Sequence, residues 1–176
     1  MSITRKIAAT VAGAIVLSGV TVFGAGSAAA AENATLAAST TFYAAAQNEW
    51  DNTNIANTGD TRVTTQIPST SDSQTWSFNK VKETPEGTGI YTIRAYGTSK
   101  CITGQGTGNK VTLEPCNDAL LTQQWVVDTG QEHTTIANLK NKNEVLKSNG
   151  AGTDATLEKT NGQPTKNELW TLDYRY

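Results

Sequence analysis

Beyond residue 40 the apolar positions come in short, broken runs. Thr41–Tyr43, Arg62–Ile67, Thr75–Val81, Ile90–Ala95, Lys110–Leu113, Gln124–Val127, His133–Leu139 and Leu169–Asp173 are rich in β-branched and aromatic residues interleaved with polar ones. That pattern predicts short strands, each with one face turned inward. Clusters of Gly, Asn, Asp and Pro separate them, as in Pro85-Glu86-Gly87, Gly104–Asn109 and Asn149–Gly152. Those residues fit tight turns. No sustained apolar period of 3.6 residues follows residue 40. A single helical turn is expected at Asp118–Gln123. The fold class expected is all-β.

A second, longer period lies over the first. Trp76, Trp125 and Trp170 are separated by 49 and 45 residues, and Gln74, Gln123 and Glu168 stand two residues before them. A period of that size marks a supersecondary unit that buries its apolar face only against its neighbours. The second and third copies align readily. Val111-Thr112-Leu113-Glu114-Pro115-Cys116-Asn117 matches Ala155-Thr156-Leu157-Glu158-Lys159-Thr160-Asn161, and Cys101 falls opposite Val145. The first copy is more divergent. Its segment Gln47–Asp60, rich in Asn and Thr, reads as an extended loop or a divergent strand. Each copy accounts for about four strands, so about twelve are expected, in repeats of about 41–84, 87–130 and 131–176. A closed barrel with hairpins capping one end would gather the three tryptophans round a pseudo-threefold axis and leave few open edges. The glutamine before each tryptophan can both donate and accept, and so can satisfy backbone groups where the strand enters the core. An ionised Glu168 accepts only, so the third copy should be wired differently.

The N-terminus has another character. Arg5 and Lys6 precede an apolar stretch from Ile7 to about Phe23, which ends in the small-residue run Gly26–Ala31. This is the layout of a secretory signal, with cleavage expected before Glu32. The small residues favour cleavage over retention as a membrane anchor. Residues 1–31 are therefore read as a signal peptide, 32–40 as a flexible leader, and 41–176 as one domain. The whole chain carries 14 basic and 16 acidic residues. Only Arg5 and Lys6 among the bases precede Glu32, so the exported part is more acidic still. Neither nucleic acid nor, once the signal is removed, a membrane is expected as partner. Export also makes a disulfide the expected state of Cys101 and Cys116.

With the Gln-x-Trp marks, the Lys100-Cys101-Ile102 segment and the Val111–Asn117 run, the chain resembles the ricin B-type β-trefoil lectin family. The resemblance implies a β-trefoil over residues 41–176 and the binding of galactose-type or related sugars in shallow pockets, up to one per repeat. The family site combines an Asp soon after the first cysteine, a polar residue and an aromatic platform on the later strand, and an Asn before the Gln of Gln-x-Trp. Carboxylate and amide take sugar hydroxyls while the ring packs on the sugar's C–H face. In the second repeat the matching positions are Thr103, Thr112, Glu114 and Thr122, followed by Gln123. In the third they are Lys147, Thr156, Glu158 and Asn167, followed by Glu168. The first has Gln66 near the platform position and Ser73 in the Asn place. No copy keeps the full pattern, so any sugar sites are altered ones. Tyr43, Trp50, Tyr91 and Tyr96 are candidate platforms elsewhere, although each also suits core or hairpin packing.

Catalytic chemistry is not evident. His133 stands beside Glu132 in a strand-like run and reads as a surface histidine. No His or Cys cluster has metal-ligand spacing, and neither a metal nor a cofactor is expected. Glu114 and Glu158 are explained by the repeat, not by the paired carboxylates of a glycosidase. Gly104–Gly108 lacks the Lys and helix of a phosphate loop and reads as a hairpin tip. The expected function is a secreted, non-enzymatic carbohydrate-binding module whose partner is a glycan or polysaccharide. The alternative is a secreted protease inhibitor acting through Asn48–Asp60, Gly104–Lys110 and Asn149–Asp154.

Overall fold

The computed structural model describes residues 40–175. The signal-peptide reading and all but the last residue of the leader lie outside them. Twelve strands follow in chain order: β1 (Thr41–Asn48), β2 (Asn54–Asn57), β3 (Val63–Gln66), β4 (Trp76–Glu83), β5 (Gly89–Ala95), β6 (Lys100–Thr103), β7 (Thr112–Pro115), β8 (Gln124–Val127), β9 (Ile136–Asn138), β10 (Glu144–Lys147), β11 (Thr156–Lys159) and β12 (Trp170–Arg175). One-turn 3₁₀ helices at Asp72–Gln74, Leu121–Gln123 and Lys166–Glu168 lead into β4, β8 and β12. The second is the helical turn expected from Asp118–Gln123.

The pairing has two layers. β12, β1, β4, β5, β8 and β9 form an antiparallel ladder in that order. Its ends meet where Thr134 and Trp170 exchange backbone hydrogen bonds of 2.9 and 2.8 Å. The remaining strands form three hairpins, β2–β3, β6–β7 and β10–β11. These hairpins are stitched together in rotation. Leu113 donates its N–H to Thr61 (2.9 Å), Leu157 to Asn109 (3.0 Å) and Thr65 to Thr153 (2.9 Å). Three equivalent bonds in three repeats define the pseudo-threefold axis.

The core records the same symmetry. Trp76, Trp125 and Trp170 are fully buried in one apolar cluster with Ile55, Ile102 and Leu146. Each indole N–H donates to a carbonyl of the same repeat's hairpin: Trp76 to Ile55 (3.0 Å), Trp125 to Ile102 (3.1 Å), Trp170 to Leu146 (3.0 Å). The polar end of each large ring is thereby satisfied.

The glutamines act as their chemistry suggests. Gln74 donates to the Ile67 carbonyl (2.8 Å) and accepts from Ser69 N–H (2.8 Å). Gln123 donates to the Pro115 carbonyl (3.0 Å) and accepts from Asn117 N–H (2.7 Å). Glu168 instead caps its own 3₁₀ turn, accepting from Thr165 N–H at 2.7 Å.

Two details differ from the sequence expectation, while the divergent strand allowed for in Gln47–Asp60 is present. The expected strand Lys110–Leu113 is displaced to Thr112–Pro115. β7 pairs only with β6, so the missing N–H of Pro115 leaves no ladder bond unmade. The segment Gln47–Asp60 contains β2, with Asn54, Ile55 and Ala56 buried. The hairpin strands β6, β10 and β11 lie outside the expected runs, since charged residues interrupt their short apolar stretches. Cys101 and Cys116 form a disulfide that ties β6 to the end of β7, with their Cα atoms 4.9 Å apart.

Candidate functional site

The positions equivalent to the family sugar site lie on the hairpins and their 3₁₀ turns. In the second repeat they bond to each other. Thr103 is buried, and its hydroxyl accepts from Gln123 Nε2 at 3.0 Å. Gln105 Nε2 bridges the Thr112 hydroxyl and a Glu114 carboxylate oxygen, both at 2.8 Å. In the sequence Gln105 reads only as part of the hairpin tip Gly104–Gly108, because nothing local shows that the hairpin folds it back over Thr112. Thr122 stands apart from this group. It borders a cleft of about 450 Å³ with Gly104, Gln105, Asn138 and Glu144. The walls of that cleft thus come from two repeats.

The third repeat closes in a similar way. Lys147 and Glu158 form an ion pair at 3.3 Å across β10–β11. Asn149 Nδ2 donates to the Thr156 hydroxyl at 3.0 Å. Asn167 Oδ1 accepts from the Thr165 hydroxyl at 2.5 Å. Beside it the β1–β2 turn packs in, with the Ser148 hydroxyl donating to Asp51 at 2.6 Å and Lys166 paired to Glu49 at 2.9 Å. The Lys166 contact holds the Glu49 carboxyl below its ordinary pKa. In the first repeat, Gln66 Nε2 donates to the Thr64 hydroxyl at 3.0 Å.

One charged cluster ties the repeats together. Arg62, Lys110 and Asp154 hold equivalent places in the three hairpins. The Asp154 carboxylate takes Arg62 on one oxygen and Lys110 on the other, both at 2.5 Å. Arg62 first, and Lys110 after it, keep this carboxyl below the usual carboxylate range.

The candidate aromatic platforms separate clearly. Tyr91 is buried, edge-on to Phe42 and Phe78. Trp50 is 56 % exposed on the β1–β2 turn, while Tyr43 and Tyr96, 41 % and 45 % exposed, meet edge to face. They border a cleft of about 540 Å³ with Asp72, Asp173 and Arg175. His133 Nδ1 is 3.0 Å from the Thr171 hydroxyl on the surface. Among the described residues, no group of three or more His, Cys, Asp or Glu side chains is placed to hold a metal ion.

A family model described as ricin-type β-trefoil lectin domain-like matches residues 72–162. The chain belongs to this family. Within the trefoil lectin-like family, the matched span runs from the first 3₁₀ turn to just past the third hairpin and includes the disulfide and two of the three tryptophans. A search of curated protein sequences found no match. Among solved structures, the designed threefold-symmetric protein ThreeFoil is similar at 17 % identity and a TM-score of 0.61. The match covers 74 % of this chain and 97 % of that one. SeviL bound to asialo-GM1 saccharide is similar at 24 % identity and a TM-score of 0.58, over 78 % of this chain and 100 % of that one. The GlcNAcα1-4Gal-releasing endo-β-galactosidase from Clostridium perfringens is similar at 10 % identity and a TM-score of 0.61. There the match covers 77 % of this chain but only 33 % of the enzyme. At these identities the likeness shows the trefoil fold. Function is set by the sites that a fold carries.

Proposed function

We propose that this chain is a secreted, non-catalytic carbohydrate-binding module whose family-position sites are altered. Membership of the lectin-like trefoil family supports the ligand class. The family match carries the ligand class, and the self-pairing of the hairpin positions carries the altered-site part of the reading. Gln105, Thr112 and Glu114 satisfy one another, as do Lys147 and Glu158. A sugar entering there would have to break those bonds before making its own, which lowers net affinity. Carbohydrate recognition would then rely on other surface groups. Similar structures include lectins solved with saccharides bound, among them SeviL with the asialo-GM1 saccharide.

The test is a broad glycan array combined with polysaccharide pull-downs, using the exported protein. Binding to a defined glycan class is expected. Silence on both would remove the reading. Export itself is checked by sequencing the N-terminus of protein recovered from the culture medium, which is expected to begin at Glu32. Protease inhibition gains no specific support, since the first of its candidate loops, Asn48–Asp60, contains the buried strand β2.

A further inference from the structure

The Tyr43–Tyr96 pair sits on β1 and at the end of β5, outside the family sugar positions. Cross-strand register explains the setting. Tyr43 in β1 lies between Arg175 of β12 and Ser77 of β4, and Ser77 in turn lies opposite Arg94 of β5. Directly opposed residues share a face, so Arg175, Tyr43, Ser77 and Arg94 form one row across four strands. Tyr96 follows Arg94 by two residues and is fixed by its N–H donating to the Thr75 carbonyl at 3.1 Å. Its ring meets Tyr43 with centroids 5.6 Å apart and planes at 80°.

The trefoil itself does not require this pair. Ala44, Tyr91 and Thr134 are the cross-strand partners of the three repeat tryptophans, so Tyr43 is equivalent to Ile90 and His133. Ile90 is buried, and His133 engages Thr171. Only one of the three barrel faces carries exposed aromatic rings at this place.

The rings form a ridge between two clefts. On one side lies the 540 Å³ cleft with Asp72, Asp173 and Arg175; on the other, a cleft of about 350 Å³ with Ser77, Arg94 and Thr98. Arg175 is held in place, donating to the Thr75 hydroxyl (3.1 Å) and the Ser69 carbonyl (2.9 Å). Among the described residues, the Asp72 carboxylate and both tyrosine hydroxyls take part in no hydrogen bond within the protein, and all three remain open to a ligand.

We propose that this face binds a neutral oligosaccharide, laid across the Tyr43–Tyr96 ridge with a sugar ring in each cleft. The rings offer flat apolar surface to sugar C–H groups, while carboxylates and guanidinium groups take the hydroxyls. In the larger cleft two acids face one base, which disfavours uronic or sialic acids there. Clefts on both sides of the ridge favour a chain over a monosaccharide. The inference rests on the carbohydrate-binding reading above and gives it a location distinct from the family positions.

The test measures binding of the exported protein to arrayed glycans and to xylan, mannan, galactan and cellulose, with hyaluronate and heparin as anionic probes. Tyr43→Ala, Tyr96→Ala and Asp72→Ala are compared with the double variant Glu114→Ala, Thr122→Ala. Each of the first three is expected to weaken neutral-glycan binding by about tenfold, and the double variant is expected to leave it in place. Asp72 is exposed, so its variant keeps the test valid even if Tyr43→Ala in β1 fails to fold. Glycan binding that survives Tyr96→Ala and Asp72→Ala but is lost in the double variant overturns the inference and leaves the carbohydrate reading standing. Binding confined to the anionic probes overturns the neutral-ligand assignment. No glycan binding by the unmodified protein overturns the carbohydrate reading, and the inference with it.

Discussion

The second and third hairpins differ in how they are tied at one pair of equivalent positions, and that difference can be erased. In the second, Cys101 pairs with Glu114 across the hairpin, and Cys116 donates its N–H to the Ser99 carbonyl at 2.9 Å. In the third, Val145 pairs with Glu158, and Thr160 donates its N–H to the Asn143 carbonyl at 2.8 Å. The backbone frame is therefore the same, and Val145→Cys with Thr160→Cys should close a second disulfide. A 15-residue separation, that of the native pair, stabilises by about 3 kcal/mol in the chain-entropy model. Losing the packing of buried Val145 costs about 1 kcal/mol. The Thr160 hydroxyl is buried with no hydrogen-bond partner, and its removal returns about 1 kcal/mol. The net gain expected is about 3 kcal/mol, or about 9 °C in Tm for a domain of this size. Urea unfolding of the oxidised variant against the oxidised parent, which keeps the native disulfide in both, measures it, with peptide mapping to establish the pairing. Two alkylatable thiols in the folded, oxidised variant would refute the equivalence of the two hairpins. So would an oxidised variant no more stable than the parent.

Three further outcomes follow from named contacts. Asp154→Asn is expected to cost about 1 kcal/mol near neutral pH, a small value because Arg62 and Lys110 are mostly exposed. The Asp154 carboxyl is depressed in the folded state, so its contribution is present above the unfolded carboxylate pKa of about 3.9 and is lost as pH falls through the folded value. The gap in urea midpoint between variant and parent should be constant from pH 6 to 8 and narrow as pH falls below the unfolded carboxylate value; a gap that does not narrow on acidification would exclude the ion pairs as its source. Trp76→Phe, Trp125→Phe and Trp170→Phe each remove one indole bond of about 3 Å and leave a small void. Each should cost about 2–3 kcal/mol by chemical denaturation, and widely unequal losses would argue against equivalent roles. Gly104→Ala would place a Cβ 2.8 Å from Asn138 Nδ2 and 2.9 Å from Leu157 Cδ1. A loss of about 1–3 kcal/mol is expected from that overpacking, and unchanged thermal unfolding would show that the hairpin yields freely.

Much of the fold was legible along the chain because it rests on short-range patterns. Alternation marks a strand within a few residues, and the tryptophan period marks the repeat. The core role of Trp76, Trp125 and Trp170, the two-way bonding of Gln74 and Gln123, and the different wiring of Glu168 all follow from residue chemistry at known offsets. The hairpin strands β6, β10 and β11 were less visible, since charged residues interrupt their short apolar runs. β2 was obscured by the polar Asn and Thr around it.

The candidate sites depended on distances that the chain order does not encode. Gln105 covers Thr112 and Glu114 only once the hairpin has closed. Arg62, Lys110 and Asp154 share positions in three repeats, but their opposite charges meet only when the hairpins gather at the axis. Tyr43 becomes part of a ridge because β12 returns from the far end of the chain to pair with β1, which sets Arg175 beside it. The amino-acid sequence alone determined most of the barrel strands, the repeat and the tryptophans that fill the core, because burial of a periodic apolar face is a local choice made many times over. Which polar and aromatic groups stand free on the surface was decided by the tertiary structure, because cross-strand register joins residues more than a hundred positions apart.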